Sequence, residues 1–172
     1  MANYRIVENK IVDENNKVLM ESSRQEELTN VLGVINDLKQ KLECDTTGAF
    51  TKFKLSEDIE KTLTNLIFID VNSLKKINDK FGHHKGDKLL TSVVTLLKKF
   101  GNVYRQGGDE FILLIENDEM LANFQKKYQN TKLFSYGICL KTEYKNISQA
   151  CRLADKRMYE HKERQHKQTK IY

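Results

Sequence analysis

The patterning of this chain predicts an α/β (α+β) sandwich: a mixed central sheet with flanking helices and a site at a β-hairpin. Three stretches carry that prediction. Leu66-Ile67-Phe68-Ile69 is a short unbroken apolar run, as expected of a buried strand, and it delivers Asp70 to its carboxyl end, where an open sheet leaves a crevice for ligands. Val103-Tyr104-Arg105 and the run Phe111 to Ile115 flank Gly107-Gly108, the turn chemistry of a tight two-stranded connection. Helical spacing governs Leu89, Leu90, Val93, Val94 and Leu97 between them, and Ala150, Cys151, Ala154 and Met158 in a closing segment from Ile147 to about His166. With the strands side by side, Asp70, Asp109 and Glu110 collect at one end of the sheet, and like charges that close need cations to hold them.

In chain order, Tyr4–Val7, Lys10–Val12 and Lys17–Met20 alternate as small strands, with Asn15-Asn16 as a turn. This β ribbon, residues 1–22, either packs on the domain or lengthens a stalk. A helix over 23–44 starts at Ser23, with Glu26 in capping-box position, and carries Leu28, Val31, Ile35, Leu38 and Leu42 at heptad spacing. It packs on its own domain or pairs with a second copy. The main domain, residues 45–172, opens on Asp45 and a helix with Phe50, Phe53, Ile59 and Leu63 as its apolar set. Glu119 to Tyr128 reads as a short helix and Lys132 to Leu140 as a strand.

The chain has 172 residues with 39% hydrophobic content, enough for one domain with a proper core and a short extra element. Its 29 Lys and Arg against 24 Asp and Glu, net +5, suit an anionic partner such as a nucleotide but are too mild for long nucleic acid. Cys44, Cys139 and Cys151 show no C-x-x-C spacing and sit on apolar patterns, as in a reduced compartment. The sequence has no membrane-length apolar run and no signal-peptide core at its start, so a cytoplasmic location is expected.

Two motifs support a family resemblance. One runs Asp70-Val71-Asn72-Ser73-Leu74-Lys75-Lys76-Ile77-Asn78-Asp79, then Gly82-His83, Gly86-Asp87 and Leu90; the other is Arg105-Gln106-Gly107-Gly108-Asp109-Glu110-Phe111. Together, from about Asp45 to about Lys167, they resemble the GGDEF family, the diguanylate cyclases that join two GTP into cyclic di-GMP, in a compact, palm-like form. A more distant similarity is to the palm domains of CRISPR polymerases. The resemblance implies a nucleotidyltransferase in which Asp70, Asp109 and Glu110 are catalytic. Asp70, the Val71 carbonyl, Asp109 and Glu110 would hold two Mg²⁺ or Mn²⁺ ions, which stabilise attacking and departing oxygens together. Alternatively, Glu110 pairs across the hairpin with Arg105.

The helix start at Asn72 to Lys75, including Leu74 and Lys75, implies phosphate binding through backbone amides, and Gly107 and Gly108 let a nucleotide approach. Lys162 takes the place of the family's triphosphate-contacting Lys, or is simply solvated. Where the family adds an Arg four residues later this chain has His166, with Arg164 or Lys167 as substitutes. Asn78 and Asp87 occupy guanine-contacting positions; the alternative is that they cap helices, Asp87 especially. His83 and His84 read as loop or packing residues.

Asp45 to Phe53 resembles a worn form of the opening D-x-L-T-G-L-x-N-R. Asn72 stands where the family has the second Asp of D-x-D, and Lys98-Lys99-Phe100-Gly101 replaces its R-x-x-D feedback site. The expected function is a diguanylate cyclase acting as a homodimer paired through the helix over 23–44. The alternatives are a minimal cyclic-nucleotide synthase using ATP or mixed nucleotides, and an inactive GGDEF nucleotide-binding regulator.

Overall fold

The computed structural model describes residues 4–8, 10–21, 24–58 and 64–169. Ser23, Ile59 and Leu63 lie outside the described residues, as do the side chains of Leu42 and His166. The chain divides into two compact units, Met1–Glu43 and Cys44–Tyr172.

In the first unit the alternating residues form an antiparallel sheet of β1 (Arg5–Val7), β2 (Lys10–Val12) and β3 (Val18–Glu21), in that order. The β2–β3 turn is closed by Asp13, whose Oδ1 accepts from the Asn15 and Lys17 amides at 2.9 Å. Helix α1 (Gln25–Glu43) follows. Among the described residues of this unit the buried apolar ones are Ile11, Val12 and Leu28, whereas Val34 and Leu38 on α1 are more than half exposed.

The second unit is built on a five-stranded mixed sheet of order β4-β6-β7-β5-β8, in which β4 runs parallel to β6 and the other pairs are antiparallel. Its elements are β4 (Phe50–Thr51), α2 (Lys52–Asp58), β5 (Asn65–Val71), α3 (Leu74–Phe81), α4 (His83–Leu97), β6 (Asn102–Gly107), β7 (Glu110–Ile115), α5 (Asp118–Tyr128), β8 (Phe134–Cys139) and α6 (Ile147–Thr169). All seven residues of β5 are buried, so its unbroken apolar run is that of a central strand covered on both faces. Period-two alternation divides its side chains between two cores. Ile67, Ile69 and Val71 pack with Leu90, Val93 and Leu97 of α4 and Phe124 of α5, whereas Leu66 and Phe68 pack with Leu55 of α2 and Ala150, Ala154 and Met158 of α6. By the same parity Asp70 emerges on the α6 side.

Two local expectations are corrected. Phe50 is not the first residue of a helix: Phe50 and Thr51 pair with Tyr104 and Arg105 as β4, and α2 begins at Lys52, with Leu55 rather than the exposed Phe53 turned into the core. Helix α4 starts at His83, not at Gly86-Asp87, so His83 and His84 are its exposed first residues and not loop. Asp87 lies inside that helix and caps nothing, because Gly82 occupies the N-cap.

The long helix α6 is tied to the end of β8 by Arg157. Its guanidinium donates to both Glu143 oxygens, at 2.7 and 2.9 Å, and to the Ile138 carbonyl at 2.6 Å. That fork, with the Leu140 amide, holds the Glu143 carboxyl down to about 2. A depressed carboxyl stabilises the fold above its unfolded value near 4.5, and this contribution fades as pH falls toward 2. Both side chains are about a third exposed, so solvent limits the effect to about 1 kcal/mol. Urea unfolding of Glu143→Gln at pH 7 and pH 3 should therefore show a deficit of that size at pH 7 that shrinks at pH 3; an equal deficit at both would contradict the assignment.

Candidate active site

Strand β5 carries Asp70 to the sheet's end with only 7% of its surface exposed. A carboxylate so covered needs a counter-charge, and Lys162 of α6 supplies it, Nζ to Oδ1 at 2.7 Å. Both edges of β5 are secured here, since the Val71 amide donates to the Asp109 carbonyl and the Asn72 amide to the Leu133 carbonyl, each at 2.9 Å. On β7, Glu110 is the Cα partner of Asp70, and directly opposed residues of an antiparallel pair point to one face. Asp109 is half-buried in the turn immediately before. The Glu110 carboxyl is pushed up, first by burial and then by the charges of Asp109, Asp70 and Asp155, with Lys162 opposing. Negative charge is thus concentrated at one spot, although among the described residues no three such side chains yet stand at metal-holding spacing.

The hairpin turn is braced by a residue far away in the sequence. Gly107 pairs with Glu110 after a register shift at Arg105, and Gly108 has φ +49°, a conformation a side chain would resist. Arg105 does not pair with Glu110. Its Nε and Nη2 donate to the Gly108 carbonyl at 3.1 and 2.6 Å, and its Nη1 to Asp45 Oδ2 at 2.9 Å. The other Asp45 oxygen accepts from the Thr47 and Ala49 amides and the Thr47 hydroxyl, at 2.6 to 3.1 Å. Asp45 therefore braces, through Arg105, the carbonyl next to Asp109.

After β5 the chain turns through Ser73 at φ +63°, and α3 begins with Leu74 half-buried and Lys75 exposed. Asn78 faces α4, its Oδ1 buried and without a hydrogen-bond partner. It lies so close to Gly86 that a Cβ there would stand 1.9 Å from that oxygen, so any larger residue would push the Asn78 amide aside. Asp87 is exposed one residue on. Arg164 is exposed and donates to the Glu160 carbonyl within its own helix. The structure thus brings Asp70, Glu110, Asp109 and Lys162 together, sets Asn78 and Asp87 on the adjoining α3–α4 pair, and leaves Arg164 apart. Gln165 and Ser135, which sequence reasoning did not single out, bond to Asn72 two residues beyond Asp70.

The second unit is thus an α/β domain whose central strand and glycine hairpin bring acidic residues beside a lysine of the flanking helix. Comparison with known proteins makes this specific. Residues 50–168 match the family model "Diguanylate cyclase, GGDEF domain", and the chain belongs to that family. It is 33% identical over 135 residues to the probable diguanylate cyclase DgcI of Escherichia coli K12, covering 69% of this chain and 30% of that protein. To the diguanylate cyclase DgcN of the same organism it is 29% identical over 128 residues, covering 62% and 31%. It spans less than a third of the length of these curated relatives. Among solved structures, the coiled coil and GGDEF domain of DgcB from Caulobacter crescentus, in complex with c-di-GMP, superposes with a TM-score of 0.65 at 15% identity, over 78% of this chain and 87% of that one. A microbial GGDEF domain with cyclic di-GMP gives 0.59 at 24% identity, over 73% and 94%.

Removing the brace should loosen the turn. Asp45→Ala leaves a partly buried guanidinium half-satisfied, which costs about 1–3 kcal/mol. The expected result is that loss in urea unfolding, with faster amide exchange at residues 105–110; unchanged exchange there would show that the turn holds without Asp45.

Proposed function

We propose that the domain is a diguanylate cyclase condensing two GTP into cyclic di-GMP and pyrophosphate. The observation that carries this reading is the opposition of Asp70 and Glu110 across β5 and β7, with Asp109 in the adjoining glycine turn. In the reaction a ribose 3′-hydroxyl oxygen bonds to the α-phosphorus of the second nucleotide, and the bond to the pyrophosphate oxygen breaks.

The donor set fits hard divalent cations. Its atoms are carboxylate oxygens, and the Glu110 carboxyl, pushed up first by burial, is pushed further by the charges of Asp109, Asp70 and Asp155 against the opposing Lys162. Asp70, Glu110, Asp109 and the Val71 carbonyl would hold Mg²⁺ or Mn²⁺, two per site, which supply positive charge to the attacking and departing oxygens. Asp109 takes the hydroxyl proton. The exposed Gly107 and Gly108 leave room for the nucleotide over the hairpin, and the amides of Leu74 and Lys75 at the start of α3 face its phosphates. Lys162 exchanges Asp70 for the triphosphate. Asn78 and Asp87 read the base: an ionised carboxylate accepts from guanine N1–H and the 2-amino group, whereas adenine offers neither donor there. Reading by Asn78 requires its amide to turn out from Gly86.

Because the product forms by two attacks related by a two-fold axis, two such sites must face one another, so the working unit is a homodimer. The exposed Val34 and Leu38 on α1 support pairing through the helix, residues 23–44, with the ribbon, residues 1–22, before it and the catalytic domain, residues 45–172, after it. Among the described residues no helix is long and apolar enough to cross a membrane.

The test is incubation of the full chain with Mg²⁺ or Mn²⁺ and GTP, ATP or both, with products identified by mass. Cyclic di-GMP from GTP alone is expected, reduced at least ~100-fold in Asp109→Ala. An adenine-containing product would overturn the base assignment, and no product the cyclase reading. Asn78→Ala should raise the KM for GTP about tenfold, the equivalent of one lost base contact, with the fold retained by circular dichroism. An unchanged KM would remove Asn78 from the base site.

A further inference from the structure

The apolar anchoring of α6 ends early. Met158 is its last buried apolar residue, at 5% exposure, and the next, Tyr159, is 60% exposed. Beyond it, among the described side chains, only His161, Lys162 and Gln165 are partly covered; Glu160, Glu163, Arg164 and Lys167 are exposed. Those three positions share one face of the helix, so its last turns are held by polar groups. The His161 ring accepts at Nδ1 from the Tyr136 amide of β8 at 3.1 Å. Gln165 does more. Its Oε1 accepts from Asn72 Nδ2 at 3.0 Å and lies 3.3 Å from the hydroxyl of the fully buried Ser135, and its Nε2 donates to the Thr131 carbonyl at 2.9 Å. The Ser135 hydroxyl also lies 3.1 Å from Asn72 Oδ1, and Asn72 Nδ2 reaches the Lys132 carbonyl at 3.2 Å.

We propose that Gln165 is a positioning residue: with Asn72 and Ser135 it clamps the last turns of α6 onto the ends of β5 and β8, and so fixes Lys162 beside Asp70. The clamp straddles the site. Ser135 is the Cα partner of Asp70 across β5 and β8, Asn72 is two residues beyond Asp70, and Lys162 lies one helical turn before Gln165. A lysine head on a flexible four-carbon stem keeps a defined reach only if its Cα is fixed. Gln165 fixes it together with His161, whose ring also packs edge-on against Tyr136.

The same geometry accounts for an amide at position 72. Asn72 Nδ2 donates to two acceptors, the Lys132 carbonyl and Gln165 Oε1. A carboxylate there would set oxygen against oxygen. Turning the Gln165 amide over would relieve one contact and aim its oxygen at the Thr131 carbonyl instead. Asn72 and Gln165 are therefore matched, and aspartate at position 72 would open the clamp.

The role in substrate binding rests on the cyclase reading, under which Lys162 meets the triphosphate, so the test has one arm that needs no nucleotide. Hydrogen exchange of the full chain is compared for wild type, Gln165→Ala and Asn72→Asp. Both variants should exchange at least about fivefold faster over residues 159–169, as expected for the loss of a hydrogen bond or more, with 147–158 unchanged. In the second arm Gln165→Ala should raise the KM for GTP about fivefold with kcat changed less than twofold, and should have no further effect in a Lys162→Met background. Unchanged exchange over 159–169 in both variants would overturn the clamp. An equal fold-loss with and without Lys162 would overturn the claim that Gln165 acts through it. The expected exchange pattern in a chain that turns over no GTP would support the clamp and refute the cyclase reading instead.

Discussion

A nearly buried carboxylate at the end of an apolar strand is the constraint around which the second unit is arranged. Asp70 could not be carried there by a strand exposed on either face, since solvent would then separate it from its partners. The apolar run of β5 excludes water on both sides and leaves Asp70 to be answered by protein groups alone. Strand β7 brings a second acid opposite it, which adds to the like charge, and α6 brings a cation. The packing of α6 on β8 and β5 is thus a condition for placing that charge at all.

Two supports hold this arrangement, and they work on opposite sides of it. On the hairpin side Arg105 fixes the Gly108 carbonyl and is itself held by Asp45, so the loop before β4 sets the pose of the glycine turn. On the helix side the amide and hydroxyl groups of Asn72, Ser135 and Gln165 do the equivalent for α6. Neither support is apolar. Each fixes direction as well as proximity, which hydrophobic contact alone does not.

The central strand, the hairpin and the order of elements were legible in the sequence, because apolar runs, helical spacing and a Gly-Gly turn are local signals. What was not legible depended on residues far apart in the chain. Phe50 became strand by parallel pairing with Tyr104, which outweighed a helical reading of its own neighbourhood. The stretch from Gly82 to Asp87 also allowed a reading as loop with Asp87 as a cap, yet the helix runs through it from His83, and Gly86 admits the Asn78 side chain without breaking the chain. Asp70, Asp109 and Glu110 could be read as one cluster from strand register alone. Asp45 could be read only as part of a motif, its partner being Arg105, sixty residues on. Gln165, in a basic tail that reads as solvated, carried no signal at all.

The pairing of Lys162 with Asp70 has a consequence for how the site changes partners. Asp70 is the more deeply covered of the two, so departure of the lysine would leave its charge in a place poor in water. In the cyclase reading a triphosphate arriving with its cations offers both at once: negative oxygens for the lysine and positive charge for the carboxylates. Asp70 would then keep a compensating charge throughout, with the lysine received by the phosphate oxygens. A long, unbranched side chain suits that exchange, since the head can move while the helix beneath it stays where its polar contacts hold it.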